Sequence, residues 1–292
     1  MESVRIGDYR LEAELAASTT ARMYRATHQV LPRQVMIKIA CEPRDSVAVL
    51  REACMLAALQ HCGIVRVHEV GRLADNRTWF ASEIVDGLTV AGTLELGPLD
   101  PFTAVAIVRD AAEILAHAHQ RGVVHGALTP DKLVLTSRLR GFPLCITDWS
   151  SARTHDAQTI HPAEPGPYTA PELVRGELDD RADVFALGAI AYRAFTGQVP
   201  DGAPVSAHAP ELPRALATLV EQMLAYDRWD RPSSAEVRGE LATVVLTTGA
   251  APPAELRIRK PRWTPPLDFG ADSAAEALLD SAPTLDDITK PD

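Results

Sequence analysis

The sequence predicts an α+β fold, in which strands come first along the chain and helices follow. Two observations lead to this prediction. Residues 35–39 read Val-Met-Ile-Lys-Ile, and their side chains alternate with the two-residue period of a strand. From residue 102 onwards, apolar side chains recur mostly at helical spacing. Strands followed by helices are typical of α+β folds.

The predicted elements comprise five strands that surround one helix, and then four further helices. The early helix carries an apolar face from Val49 to Leu59 and begins near Asp45 or Ser46, either of which is a plausible N-cap. A polar turn at Asp75 and Asn76 separates the last two strands. The strands cover or begin at residues 9–11, 22–26, 34–40, 64–71 and 78–85, and the helices cover 45–60, 102–121, 183–196, 212–225 and 234–246.

Composition excludes several classes of protein. The chain has 292 residues, 46% hydrophobic and 23% charged, which is ordinary for a globular protein. Its net charge of −10 argues against a general nucleic-acid partner or an anionic membrane surface. No apolar run approaches the roughly 18 residues of a membrane span, and no signal peptide opens the chain. We therefore expect a cytoplasmic protein whose four cysteines are reduced, mostly buried thiols.

The character of the sequence changes after about residue 247. Prolines accumulate and periodicity fades, so residues 247–292 are predicted to be a disordered Pro/Ala-rich tail. Thr284 is followed three residues later by Asp287, a pattern that phosphothreonine-reading domains often accept, and Thr289 is a second candidate phosphorylation site. The alternative is a plain solvated tail, because short Thr/Asp strings are common by chance.

Seven short motifs occur in the order and with the spacing of the protein kinases. They are V-M-I-K at 35–38, R-E-A at 51–53, V-V-H-G-A-L-T-P-D-K-L-V at 123–134, T-D-W-S at 147–150, A-P-E at 170–172, D-V-F-A-L-G at 183–188 and D-R-P-S at 230–233. Together they resemble the bacterial, eukaryotic-like serine/threonine kinases over residues 9 to about 245. The resemblance implies a bilobal domain of residues 1–246, with a small β-rich N-lobe that carries helix C (about 1–85) and a larger helical C-lobe (about 86–246).

The resemblance assigns five candidate residues to nucleotide binding. Lys38 would contact the α- and β-phosphates and pair with Glu52, Glu83 and Val85 would offer backbone groups to a purine, and Asp148 would bind magnesium. The alternative for the Lys38–Glu52 pair is that it only holds helix C in place.

Two departures from the family weaken the expected binding of ATP and Mg²⁺. The glycine-rich loop is replaced by A-A-S-T-T-A-R-M at residues 16–23, where a simple hairpin turn is the favoured interpretation. Met23 and Met36 lie at positions that touch adenine in the family, and methionine readily fills apolar gaps. We therefore predict that no cofactor is required.

The catalytic loop has lost its chemical groups. Where the family has H-R-D-L-K-P-x-N, residues 125–132 read H-G-A-L-T-P-D-K. Ala127 replaces the catalytic base, Thr129 the phosphate-contacting lysine and Lys132 the magnesium-binding asparagine. Gly126 replaces the arginine that holds a phosphorylated activation loop. Lys132 either contacts phosphate in place of the metal or leaves the site empty.

The framework of the family is retained. His125 is expected to pack in the core, Asp183 to accept backbone amides of the 125–127 turn, and Glu172 to pair with Arg231. The sequence thus predicts a pseudokinase, a catalytically impaired regulatory or scaffolding module in bacterial serine/threonine kinase signalling. Its expected partners are an active kinase or a phosphothreonine-reading domain. The alternative is an ATP-binding switch or a weak, atypical kinase that uses Lys38, Glu52 and Asp148.

Overall fold

A computed structural model of the chain describes residues 4–136, 141–155, 157 and 160–247. Strands dominate the first part and helices the second, which confirms the α+β prediction. The strands are β1 Arg5–Ile6, β2 Tyr9–Ala17, β3 Ala21–His28, β4 Gln34–Ala40, β5 Val67–Arg72, β6 Thr78–Glu83, β7 Gly87–Thr89, β8 Val123–Val124, β9 Leu133–Thr136, β10 Leu144–Ile146 and β11 Arg153–Thr154. The helices are α1 Ser46–Leu59, α2 Val90–Leu94, α3 Pro101–His119, α4 Pro171–Val174, α5 Arg181–Thr196, α6 Val205–His208, α7 Arg214–Met223 and α8 Ser234–Thr247.

A six-stranded antiparallel sheet forms the N-terminal part, with strand order β1-β2-β3-β4-β6-β5. Lys38 of β4 is paired with Met23 of β3 on one side and with Phe80 of β6 on the other. Directly paired residues of antiparallel strands share a face, so these three side chains lie on the same face of the sheet. Helix α1 packs against β6 through its predicted apolar face, of which Val49 and Leu59 are buried.

The helical part is built around α3 and α5. Helix α3 begins where the Asp100 side chain accepts hydrogen bonds from the backbone N–H groups of Phe102 and Thr103. Helix α5 ends at Gly197, whose φ of +77° is the left-handed conformation that favours glycine at a helix C-terminus. Both helices pack against each other, and α3 also packs against α8. The main core lies between them and continues into α1 of the N-terminal part.

All five predicted strands and all five predicted helices are confirmed, with ends that differ by a few residues. Two details were wrong. The Asp45 side chain accepts the Glu42 N–H and does not cap α1. The thiols are not mostly buried, because Cys54 and Cys62 are exposed on the surface. Residues 248–292, with Thr284 and Thr289, lie outside the described residues. Within the described part, no helix has the length and apolarity needed to cross a membrane.

Candidate functional site

Lys38 and Glu52 form the predicted ion pair. Strand β4 and helix α1 bring the Lys38 Nζ to 2.6 Å from the Glu52 Oε2. Both residues are buried, with 6% and 5% of their surface exposed. Burial raises the pKa of Glu52, and the neighbouring Lys38 ammonium acts in the opposite direction. The pair therefore ties helix α1 to the sheet, as it would in a kinase that is ready to bind nucleotide.

The β9–β10 hairpin brings Lys132 to Asp148. Ile146 at the end of β10 is paired with Leu133 at the start of β9, so the residues just outside the hairpin ends lie side by side. The Thr147 N–H donates to the Lys132 carbonyl at 2.8 Å, which extends this pairing by one step. The Lys132 Nζ then lies 3.0 Å from the Asp148 Oδ2. The Lys132 ammonium thus contacts one carboxylate oxygen of Asp148, the residue predicted to bind magnesium.

The second oxygen of Asp148 also has a partner within the chain. The Ser150 hydroxyl donates to the Asp148 Oδ1 at 2.7 Å. Burial acts to raise the pKa of Asp148, but Lys132, Ser150 and Lys38 together outweigh it and hold that pKa below its ordinary value. Asp148 is therefore ionised at neutral pH, with both oxygens engaged. Sequence reasoning gave Ser150 no role, although a serine two residues after an aspartate is well spaced to donate to it.

Asp183 holds the start of the catalytic loop. Its carboxylate accepts the backbone N–H groups of His125 and Gly126, each at 2.8 Å, and contacts the His119 Nε2 at 2.9 Å. The Ala127 N–H instead donates to the His125 ring at 3.3 Å, so the predicted role of Asp183 holds for two of the three amides. Gly126 has a φ of +72°, a conformation in which an arginine would be strained.

Trp149 and His125 form a buried pair below this loop. The Trp149 Nε1 donates to the Ile146 carbonyl at 3.0 Å, and its indole meets the His125 ring edge-on with centroids 4.8 Å apart. Both residues are fully buried, as predicted for His125. Burial lowers the pKa of His125, which therefore stays neutral near pH 7. This pair supports the loop but supplies no proton acceptor at residue 127.

The other two replaced catalytic positions, Ala127 and Thr129, belong to the same loop as Lys132. Ala127 is half-buried and carries only a methyl group. Thr129 precedes a 3₁₀ turn that contains Lys132, and the Lys132 N–H donates to the Thr129 carbonyl at 3.0 Å. The Thr129 hydroxyl is buried and has no hydrogen-bond partner among the described residues. The loop therefore offers a lone hydroxyl and an ammonium where the family has a carboxylate, a lysine and an amide.

The segment that replaces the glycine-rich loop is a self-contained hairpin turn between β2 and β3. The Ser18 hydroxyl accepts the N–H groups of Thr20 and Ala21 at 3.3 and 3.0 Å. The Arg22 guanidinium pairs with Glu14 at 3.3 Å on the exposed surface. In a phosphate-binding loop such amides would point at the ligand. Here they donate to the Ser18 hydroxyl within the turn. This geometry agrees with the favoured hairpin interpretation of the sequence.

Glu83 and Val85, which the resemblance assigns to purine binding, lie at and just after the end of β6. Glu83 is hydrogen-bonded to Arg66, which directly precedes β5. Glu83 ends β6, and its carboxylate accepts the Arg66 N–H at 2.6 Å while its own N–H donates to the Arg66 carbonyl at 3.0 Å. Val85 is half-buried against the main core. Met36 is paired with Ser82 of β6 and, two residues from Lys38, shares its face of the sheet. That Met23 and Met36 fill the space of a purine stays a prediction.

Glu172 and Arg231 form the predicted ion pair, and it is completely enclosed. The two guanidinium nitrogens lie 2.6 and 3.0 Å from the two carboxylate oxygens, and the side chains are 1% and 0% exposed. The remaining Arg231 donors reach the carbonyls of Ala225, Tyr226 and Arg181. The pair fastens α4 to the segment before α8.

A bilobed arrangement of sheet and helices, with an ion pair from β4 to α1 and an aspartate after the β9–β10 hairpin, defines a protein kinase domain. The protein kinase domain family matches residues 9–240, and the chain belongs to this family. Among curated relatives, serine/threonine-protein kinase PknJ of Mycobacterium tuberculosis is 29% identical in an alignment of 271 positions, which covers 83% of this chain and 46% of the relative.

Two further relatives carry similar names. Serine/threonine-protein kinase PknB of Mycobacterium tuberculosis is 28% identical in an alignment of 311 positions, which covers 95% of this chain and 49% of the relative. Serine/threonine-protein kinase pkn2 of Myxococcus xanthus is 27% identical in an alignment of 297 positions, which covers 91% of this chain and 35% of the relative. This chain thus spans less than half the length of each of these three relatives.

Proposed function

We propose that this chain is a pseudokinase, a kinase-fold module that regulates or scaffolds bacterial serine/threonine kinase signalling without transferring phosphate itself. The observation that carries the proposal is the Lys132 ammonium, 3.0 Å from Asp148 at the position of a metal-binding asparagine. Phosphoryl transfer depends almost entirely on positioned cations and one base. Here the base position is Ala127, and the metal position holds a side chain.

The residues around Asp148 do not fit the magnesium that the family uses. Mg²⁺ requires oxygen ligands in near-octahedral geometry. One Asp148 oxygen contacts the Lys132 ammonium and the other accepts the Ser150 hydroxyl, so a metal would have to displace both. The ammonium would also repel a divalent ion, since like charges a few ångströms apart interact strongly in a partly buried site.

Loss of the base adds to the loss of the metal site. A positioned general base typically contributes about 10²–10⁴-fold to a rate, and the Ala127 methyl group accepts no proton. The Thr129 hydroxyl carries no charge to stabilise a transferred phosphoryl group. The amides at Thr20 and Ala21 are engaged by Ser18. Four separate contributions to catalysis are therefore missing from one cleft.

The retained framework supports a role as a binding module. Lys38–Glu52, Asp183 and Glu172–Arg231 hold the helix C region, the catalytic loop and the A-P-E segment as a kinase does. These contacts stabilise a surface of kinase shape without requiring a reaction. We propose that cytoplasmic protein partners, such as an active kinase, recognise this surface.

Phosphotransfer assays test the proposal directly. The purified full chain, incubated with γ-³²P-labelled ATP and either Mg²⁺ or Mn²⁺, is expected to label neither itself nor a general substrate such as myelin basic protein. Asp148→Ala is the matched control, because it removes the residue on which any family-like metal chemistry depends. Label in the wild type that disappears in Asp148→Ala would overturn the proposal.

The intact Lys38–Glu52 pair favours a second candidate function, an ATP-binding switch or a weak, atypical kinase that uses Lys38, Glu52 and Asp148. Thermal-shift measurements with ATP separate the alternatives. A saturable shift that requires Mg²⁺ and occurs without label transfer would select the switch, and such a shift with transfer would select the weak kinase.

The tail supplies a second proposed interaction. Thr284 and Thr289, outside the described residues, are proposed to be phosphorylated by an active partner kinase and then bound by a phosphothreonine-reading domain. Mass spectrometry after incubation with active bacterial serine/threonine kinases should find phosphate in residues 284–289, and its absence there would refute this proposal.

A further inference from the structure

Lys38, Glu52, Lys132 and Asp148 lie together in a region that we call the cleft, and Lys132 places hydrogen-bond donors there where a kinase carries a metal ligand. We propose that this cleft binds a phosphate-bearing polyanion with no divalent cation, and that the Lys132 ammonium takes the place of the metal. The inference concerns the same site as the proposed function and rests on it, since it assumes that the bound ligand is not turned over.

Four charged side chains in the cleft interact with one another. Lys38 pairs with Glu52 at 2.6 Å, and Lys132 pairs with Asp148 at 3.0 Å. The Lys38 charge also lowers the pKa of Asp148, and the Lys132 charge acts in the same direction on Glu52. The four charges therefore lie within one small region, and each carboxylate is already paired with an ammonium group.

The two ammonium groups retain donor capacity. Each lysine has three N–H donors and no acceptor, and its carboxylate partner engages one of them. Both oxygens of Asp148 are engaged, one by Lys132 and the other by Ser150. A ligand that approaches this part of the cleft therefore meets donors, which suits an anion and not a metal ion.

Thr129 supplies an independent indication of a missing partner. Its hydroxyl oxygen is buried and unpartnered among the described residues, although most buried polar groups in folded proteins have a hydrogen-bond partner. It lies at the start of the turn whose last residue is Lys132. A phosphate oxygen beside Lys132 would accept from this hydroxyl and from the ammonium together.

Magnesium should oppose this mode of binding. Nucleotide complexed with Mg²⁺ would place a second cation beside the Lys132 ammonium, whereas the free polyanion carries more negative charge and meets the ammonium directly. The affinity is therefore expected to be higher in EDTA than in excess Mg²⁺, which is the reverse of the behaviour of an enzyme that needs the metal.

Isothermal titration calorimetry of the full chain tests this inference by measuring its affinity for two probes, ATP and inorganic tripolyphosphate. Each probe is titrated once in EDTA and once in excess Mg²⁺. ATP should bind in EDTA and bind more weakly in Mg²⁺. Lys132→Met should weaken binding in EDTA about tenfold or more, because hydrogen bonds to charged groups contribute on that scale. Lys132→Asn should make binding depend on Mg²⁺, and Lys290→Met, a lysine far along the tail, should bind as the wild type does.

The double variant Lys132→Met/Asp148→Asn removes a confounding effect, since the single variant also exposes an unpaired carboxylate. Weak binding in the double variant would support a direct contact from Lys132. Recovery of wild-type affinity would overturn the inference, as would a requirement for Mg²⁺ in the wild type or no binding of either probe.

Equal Lys132-dependent binding of both probes would show that the phosphate chain suffices, and preference for ATP would show that the nucleoside contributes. Label transfer, measured separately, bears on the proposed function alone.

Discussion

Glu172→Ala is expected to lower the free energy of unfolding by about 3–5 kcal/mol, the usual cost of removing one partner of a buried ion pair. The Arg231 side chain is 0% exposed, and its charge would remain enclosed without a counter-ion. The guanidinium also lies over the Phe185 ring of α5, 4.9 Å from its centre, so turning it towards water would break this contact as well. Urea denaturation followed by circular dichroism measures the loss.

A double variant serves as the control for this prediction. In Glu172→Leu/Arg231→Met both charges are gone and no buried charge is left unpaired, so part of the stability should return. The rest stays lost because the carbonyls of Ala225, Tyr226 and Arg181 lose their donor. The ion pair between Lys132 and Asp148 should be unaffected, because neither residue 172 nor residue 231 contacts it. Unfolding of Glu172→Ala at the wild-type urea concentration would contradict the account of the pair.

Trp149→Ala is expected to cost about 3–5 kcal/mol, the range for removing a large aromatic side chain from a packed core. Trp149 is fully buried, and its ring contacts the His125 ring. The variant would leave a cavity beneath the catalytic loop and remove the donor to the Ile146 carbonyl, which lies at the end of β10. The loss should appear as a lower midpoint in chemical denaturation.

Trp149→Phe is the matched control, because phenylalanine is the residue that the family has at this position. It keeps most of the buried ring and loses the hydrogen bond from Nε1, so the expected cost is about 1–2 kcal/mol from altered packing and the lost hydrogen bond. A phenylalanine variant as unstable as the alanine variant would show that the indole N–H, and not the filled volume, stabilises this part of the chain.

Much of the framework could be predicted from the sequence because its signals are local or belong to recognisable motifs. Strand β4 is predictable from the two-residue alternation of its side chains, and α1 from the helical spacing of its apolar residues. The Lys38–Glu52 and Glu172–Arg231 pairs join residues far apart in sequence, and they were predictable only because each lies in a motif whose partner is known from the family. The short strands β7 to β11 have too few residues to produce a periodic signal.

The chemistry around Lys132 could be predicted only as a choice between a phosphate contact and an empty site. The contact between Lys132 and Asp148 depends on the register of β9 and β10, which places the residues at the two strand ends side by side. The amino-acid sequence does not reveal this register. The Ser150 hydrogen bond and the unpartnered Thr129 hydroxyl likewise depend on side-chain positions in the folded chain. Sequence therefore identified the altered positions, and the structure shows which of them touch.

The central claim is that the Lys132 side chain replaces a metal ion at Asp148. Manganese binding, followed by the enhancement of water proton relaxation or by the EPR signal of free Mn²⁺, tests it most directly. The wild type and Asp148→Ala should show the same weak background binding, with or without ATP, and Lys132→Asn should gain one Mn²⁺ site that requires Asp148. One stoichiometric Mn²⁺ site in the wild type that is lost in Asp148→Ala would contradict the account.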